Sequence, residues 1–136
     1  MLRKIIFSVA MLLGVGAVSA QVKFHDVTVD QLQKLAAKSE KLIFIDLYAT
    51  WCPPCRAMES NVFSREDVGE FMAARFECAK YNVDHTPGSE LASQYNVRSI
   101  PTYLIFDSEA KFLGRLQGSM PAEDFMENIN QALLNK

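Results

Sequence analysis

Cys52 and Cys55 stand two residues apart, behind a continuous apolar run and ahead of a stretch that reads as helix. The run is Lys41 to Tyr48, KLIFIDLY, rich in strand-forming residues. Such a run reads as a central strand covered on both faces. Pro53 and Pro54 fit the first turn of the helix that follows, where no amide donor is missed. Cys52 then falls at the helix N-terminus and Cys55 one turn on. The spacing alone leaves two chemistries open: a redox pair, or half of a zinc site.

One residue interrupts the apolar run. Asp46 is a carboxylate in a strand predicted to be buried, where ionisation is costly and a chemical role is common. The plainer reading is an acid at the strand end that reaches water. The rest of the chain alternates in a compatible way. Thr28 and Gln31 fit a capping box before a helix near Asp30 to Lys38, with a short edge strand around Val22 to Phe24 ahead of it. Ser64 fits a cap that restarts the helix after a break near Asn61 to Ser64. Phe76 to Val83 reads as a second strand, carrying Cys78 and Lys80. A turn from Asp84 to Gly88 leads to a short helix, Ser89 to Tyr95. Thr102 to Phe106 and Lys111 to Leu116 form a hairpin, and a last helix follows Pro121. A parallel crossover followed by an antiparallel hairpin predicts an α/β fold with a central mixed β-sheet and helices on both faces.

With 136 residues, the chain has room for one compact domain. A net charge of -2 offers no basic stripe, so no nucleic-acid partner is expected. Three cysteines are too few for a disulfide scaffold. Residues 1–20 have the layout of a secretory signal: Arg3 and Lys4, an apolar run from Ile5 to Val18, then small residues ending at Ala20. Cleavage after Ala20 would leave residues 21–136 as the folded domain. The alternative is an uncleaved anchor, but the run is shorter than the roughly 20 residues that a spanning helix needs. Export points to a bacterial periplasm, where disulfides form and persist.

Taken together, these segments resemble the thioredoxin family. Asp46-Leu47-Tyr48-Ala49-Thr50-Trp51-Cys52-Pro53-Pro54-Cys55 is similar to the family's active-site signature, acid included. Lys80-Tyr81-Asn82-Val83-Asp84 is similar to its next strand, with a lysine near that acid. Tyr95 to Thr102 is similar to the segment carrying the family's cis-proline, here Pro101. Gly118 falls where the family keeps a glycine at the rim of a peptide groove. The resemblance covers nearly all of the chain after Ala20. There are two departures. Pro53-Pro54 stands where common thioredoxins have Gly-Pro, and the stretch from Cys55 to Lys80 is slightly longer with an interrupted helix. Glu59 to Ser64 looks more like periplasmic and membrane-linked reductase domains.

The resemblance implies a thioredoxin fold and a thiol:disulfide oxidoreductase. Cys52, at a helix N-terminus, sees unpaired amides and the positive end of the dipole, which favour a thiolate nucleophile. Cys55, expected to be the more buried of the two, would resolve the mixed disulfide. Asp46 is the candidate proton acceptor for Cys55, tuned by Lys80. Trp51, Pro53, Pro54, Ile100, Pro101 and Gly118 would form an apolar groove where a substrate strand pairs with backbone. No external cofactor is expected, because the electrons reside in the Cys52–Cys55 pair.

The implied partners are exported proteins with cysteines and a membrane-bound electron donor or acceptor. A net oxidase is the alternative direction, although no large helical insertion fits between Val83 and Ser89. A binding or chaperone-like module with a structural disulfide is a reading of another class. Zinc needs four ligands, and one C-x-x-C supplies two, so no metal is expected. Cys78 reads as an inert buried thiol. His25 and His85 read as solvated, and Tyr48 and Tyr103 as sheet and core residues.

Overall fold

The computed structural model describes residues 20–135; the expected signal segment lies outside the described residues, apart from Ala20. The elements run α1 (Val29–Ser39), β1 (Leu42–Tyr48), α2 (Pro53–Met58), a π-helical turn (Glu59–Phe63), α3 (Glu66–Ala73), β2 (Phe76–Asn82), α4 (Gly88–Gln94), β3 (Thr102–Phe106), β4 (Phe112–Gln117) and α5 (Ala122–Leu134). The sheet order is β2-β1-β3-β4. β1 pairs in parallel with β2 and antiparallel with β3, and β4 returns antiparallel to β3. This is the mixed sheet expected from the apolar runs, with β1 and β3 at its centre.

Period-two alternation divides the core into two layers. Ile43, Ile45, Leu47, Ala79, Tyr81, Leu104 and Phe106 face α1 and α4, which contribute Leu32, Ala36 and Leu91. Phe44, Cys78, Tyr103 and Ile105 face α2, the π turn, α3 and α5. On this second face Phe44, Phe63, Tyr103 and Phe125 form a closed cluster, with centroid separations from 5.3 to 6.4 Å. Each such aromatic pair contributes about 0.5–1.5 kcal/mol beyond the burial of its area. The cluster also accounts for the helix interruption: the π turn carries Phe63 into the aromatic core before α3 starts.

Three local expectations are corrected. The proposed edge strand at Val22 to Phe24 is a single parallel bridge between Phe24 and Cys78. Val22 is buried and its N–H donates to the Phe63 carbonyl at 2.9 Å, so burial rather than a ladder anchors the segment. Ser64 does not cap α3. Its hydroxyl donates back to the Ser60 carbonyl at 2.6 Å, and Arg65 occupies the cap position without a side-chain bond. His25 is not solvated but half-buried, with Nε2 2.7 Å from Glu77 Oε2. The capping box at Thr28 and Gln31 is present as expected. Gly69 in α3 is required by a close approach, since a Cβ there would fall 1.3 Å from the Ala20 carbonyl oxygen.

Candidate active site

The C-terminal end of β1 hands the chain to α2, and the turn between them carries Trp51 and Cys52. Cys52 is the N-cap of α2, in extended conformation, and Pro53 and Pro54 occupy the first helical positions. Proline lacks a backbone N–H, so two of the orphan donors of the first turn are absent. The Cys55 amide is present, and it donates to Cys52 Sγ at 3.3 Å. The Arg56 amide closes the turn on the Cys52 carbonyl at 3.2 Å. Cys52 and Cys55 are joined as a disulfide with Cα atoms 5.3 Å apart.

Burial does not rank the two cysteines as expected. Cys52 is 2% exposed and Cys55 6%. In the disulfide form the two cysteines cluster with Ala49, and Tyr48, Val83 and Ile100 pack against that cluster. What distinguishes Cys52 is its surroundings. It accepts an amide hydrogen bond, and its Sγ lies 3.8 Å from the Ile100 carbonyl oxygen. The Ile100–Pro101 peptide is cis and Pro101 is buried. Gly118, at φ +87°, donates its N–H to the Pro101 carbonyl at 2.9 Å. That backbone conformation favours glycine. Cys52, Ile100, Pro101 and Gly118 therefore meet at one end of the sheet.

Trp51 and the two prolines complete this surface. Trp51 is 63% exposed, an unusual placement for a large aromatic ring. Its indole Nε1 donates to Asp84 Oδ2 at 2.8 Å, which fixes the ring against the turn after β2. Pro53 and Pro54 are exposed beside it. A cleft of about 630 Å³ lined by Asp26, Val27, Thr28, Tyr81 and Pro87 includes none of these residues. Trp51, Pro53 and Pro54 thus lie exposed beside the buried disulfide, with the Ile100 carbonyl oxygen facing Cys52.

Asp46 is 3% exposed and pairs in register with Lys80 on β2 and Tyr103 on β3. It lies on the sheet face that α2 covers, as the alternation with Phe44 requires. Burial pushes its carboxyl from 3.8 up to about 7; Lys80 opposes this and Glu59 adds to it. Lys80 does not hydrogen-bond Asp46. Its Nζ is held by the Glu59 carboxylate and lies over the rings of Tyr48 (5.1 Å) and Phe24 (5.6 Å). Glu59 and Asp84 carry no local sequence signal for these contacts. Their partners stand 21 and 33 residues away, beyond the reach of any local pattern.

Cys78 is a buried free thiol, and burial pushes its ionisation well above the ordinary range. A thiol that stays protonated is a poor nucleophile. His85 is exposed. Among the described residues, no three His, Cys, Asp or Glu side chains gather into a metal-ligating group.

The family model for the thioredoxin-like domain matches residues 29–133. Thioredoxin Y of rice, a chloroplastic protein, is 32% identical over 106 residues, covering 78% of this chain and 60% of that protein. The thiol:disulfide interchange protein DsbD of Actinobacillus pleuropneumoniae is 34% identical over 131 residues, covering 87% of this chain and 22% of that protein. The chain thus spans about three-fifths of the first relative and about a fifth of the second. The solution structure of a thioredoxin from Thermus thermophilus superposes with a TM-score of 0.73 at 28% identity, covering 83% of this chain and 88% of that one. The sheet order, the cysteine pair at the start of α2 and the match over residues 29–133 converge, and the chain belongs to the thioredoxin-like domain family.

Proposed function

We propose that this protein is a thiol:disulfide oxidoreductase acting on cysteines of exported proteins. The observation that carries the reading is the setting of Cys52: a helix N-cap sulfur that accepts an amide N–H and faces the Ile100 carbonyl before Pro101. In the reduced protein that amide and the helix dipole favour the Cys52 thiolate. The thiolate attacks one sulfur of a substrate disulfide; that S–S bond breaks and the other substrate sulfur leaves as a thiolate. Cys55 then gives its proton to the Asp46 carboxylate and attacks Cys52. The Cys52–Cys55 disulfide forms, the second substrate sulfur is released, and two electrons have passed to the substrate.

Recognition in this reading rests on backbone. An extended substrate segment pairs with the edge at Ile100 and Pro101, with Trp51, Pro53, Pro54 and Gly118 beside it. Lys80, held by Glu59, lowers the proton affinity that burial confers on Asp46. No bound cofactor takes part, since the cysteine pair stores the electrons.

Residues 1–20, read as a secretory signal ahead of a domain at 21–136, support export to a bacterial periplasm. Similarity to DsbD supports the same compartment and a membrane partner that exchanges electrons with the pair. Net reduction is the favoured direction. The test supplies the purified protein with dithiothreitol and insulin as a disulfide-bearing probe. The expected result is catalytic release of insulin thiols. Binding of unfolded protein with no thiol release would instead establish a binding module.

A further inference from the structure

Two buried polar side-chain atoms among the described residues have no hydrogen-bond partner: Asp46 Oδ1 and the Tyr103 hydroxyl. They belong to residues directly opposite each other on the β1–β3 ladder. Opposed residues project to the same face of a sheet. That face is covered by Met58 of α2 and by Phe63 and Phe125, and Tyr103 is fully buried within it. The tyrosine ring packs on Phe44, Phe63 and Phe125. A phenylalanine would supply all of those contacts. The hydroxyl is therefore surplus to packing and unfavourable where it stands, unless it serves its neighbour.

We propose that Tyr103 is a positioning residue for the proton-accepting step: its hydroxyl donates a hydrogen bond, directly or through one water, to the Asp46 carboxylate once Asp46 has ionised. The proposal rests on the role given to Asp46 above. An ionised carboxylate only accepts hydrogen bonds and needs donors in a dry site. Lys80, the charged donor on the same face, is held by Glu59. The other titratable groups whose charges couple to Asp46 are Glu59 from the π turn and Cys78 from β2, a neutral thiol. Of these, only the Cys78 S–H is a donor, and a weak one. The phenol keeps its own proton, because burial and the charge of Asp46 push its ionisation well upward. No proton leaves Tyr103 in this scheme. It stabilises the form of Asp46 able to take the Cys55 proton.

The test titrates the Asp46 carboxyl carbon by NMR in the oxidised wild type and in Tyr103→Phe. Wild type is expected near pH 7. Loss of the donor should move the midpoint up by about one pH unit, the size of one hydrogen bond to a charged group. A purely structural tyrosine would leave the midpoint where it is, which overturns the proposal and leaves the role of Asp46 standing. A wild-type midpoint near the ordinary 3.8 would overturn both. Stability against pH gives a second readout. An orphan hydroxyl without a role predicts a constant gain for Tyr103→Phe at every pH. The proposal predicts that the variant loses ground relative to wild type as pH rises from about 5 to about 9.

Discussion

Cys55→Ser is expected to halt the reaction at a covalent complex between Cys52 and the substrate. On the proposed roles, the variant keeps the nucleophile and removes the thiol that releases it. The mixed disulfide should therefore accumulate in near-stoichiometric amount and survive non-reducing electrophoresis. Cys52→Ser should form no complex and lose turnover altogether. The reason is local. Cys52 sulfur accepts the Cys55 amide and looks toward the cis-proline edge, whereas Cys55 lies within α2. Cys78 is not a rival, because its thiol is buried and held protonated. Peptide mapping of the trapped complex checks this assignment. A cross-link through Cys78 would show that the nucleophile has been misassigned.

Asp46→Asn should stabilise the folded protein while slowing it as a catalyst. Burial raises the Asp46 carboxyl from 3.8 to about 7. Below about pH 4 the group is protonated in both folded and unfolded chains, and the substitution should change little. Between about pH 4 and about pH 7 the unfolded chain releases the proton and the folded chain keeps it. The folded state then binds more protons, so wild-type stability falls as pH rises. Above about pH 7 the difference is complete, and Asn should gain up to about 4 kcal/mol over Asp. Urea unfolding across this range checks it. Parallel stability curves for the two proteins would mean that Asp46 ionises as an ordinary acid. The activity effect has the opposite sign. Resolution of the mixed disulfide should rise with pH through about 7 in wild type and lose that limb in Asp46→Asn.

Much of the fold is legible in the sequence because it depends on short-range patterns. The apolar run from Lys41 to Tyr48 has the length and composition of a buried strand, and β1 forms over Leu42–Tyr48. The strand expected at Thr102 to Phe106 is β3 with the same bounds. Thr28 and Gln31 cap α1 as their spacing requires, and Pro53 and Pro54 begin α2 directly behind the capping Cys52. These features involve residues within one turn or one strand of each other.

The site was legible only as far as such patterns reach. The cysteine pair, the acid in the strand and the proline segment are visible as residue types at fixed offsets. Their partners are not. Glu59 holds Lys80, Asp84 holds Trp51 and Glu77 meets His25 through contacts that exist only after the sheet has formed. The π turn has the same origin. Local propensity indicates a break near Asn61 to Ser64, but packing of Phe63 against Phe44, Tyr103 and Phe125 decides its form. The burial of Cys52 also escaped, since a helix N-cap is ordinarily exposed. Here Ile100 and Val83 cover it from distant parts of the chain.

The central claim is that Cys52 and Cys55 form a working redox couple rather than a structural cross-link. Equilibration with graded mixtures of reduced and oxidised glutathione or dithiothreitol, followed by a count of free thiols, tests it directly. The account predicts a two-electron midpoint between roughly -270 and roughly -120 mV, toward the negative end for a reductase. A pair that stays oxidised at potentials below roughly -300 mV would be a structural disulfide, and the oxidoreductase assignment would fall with it.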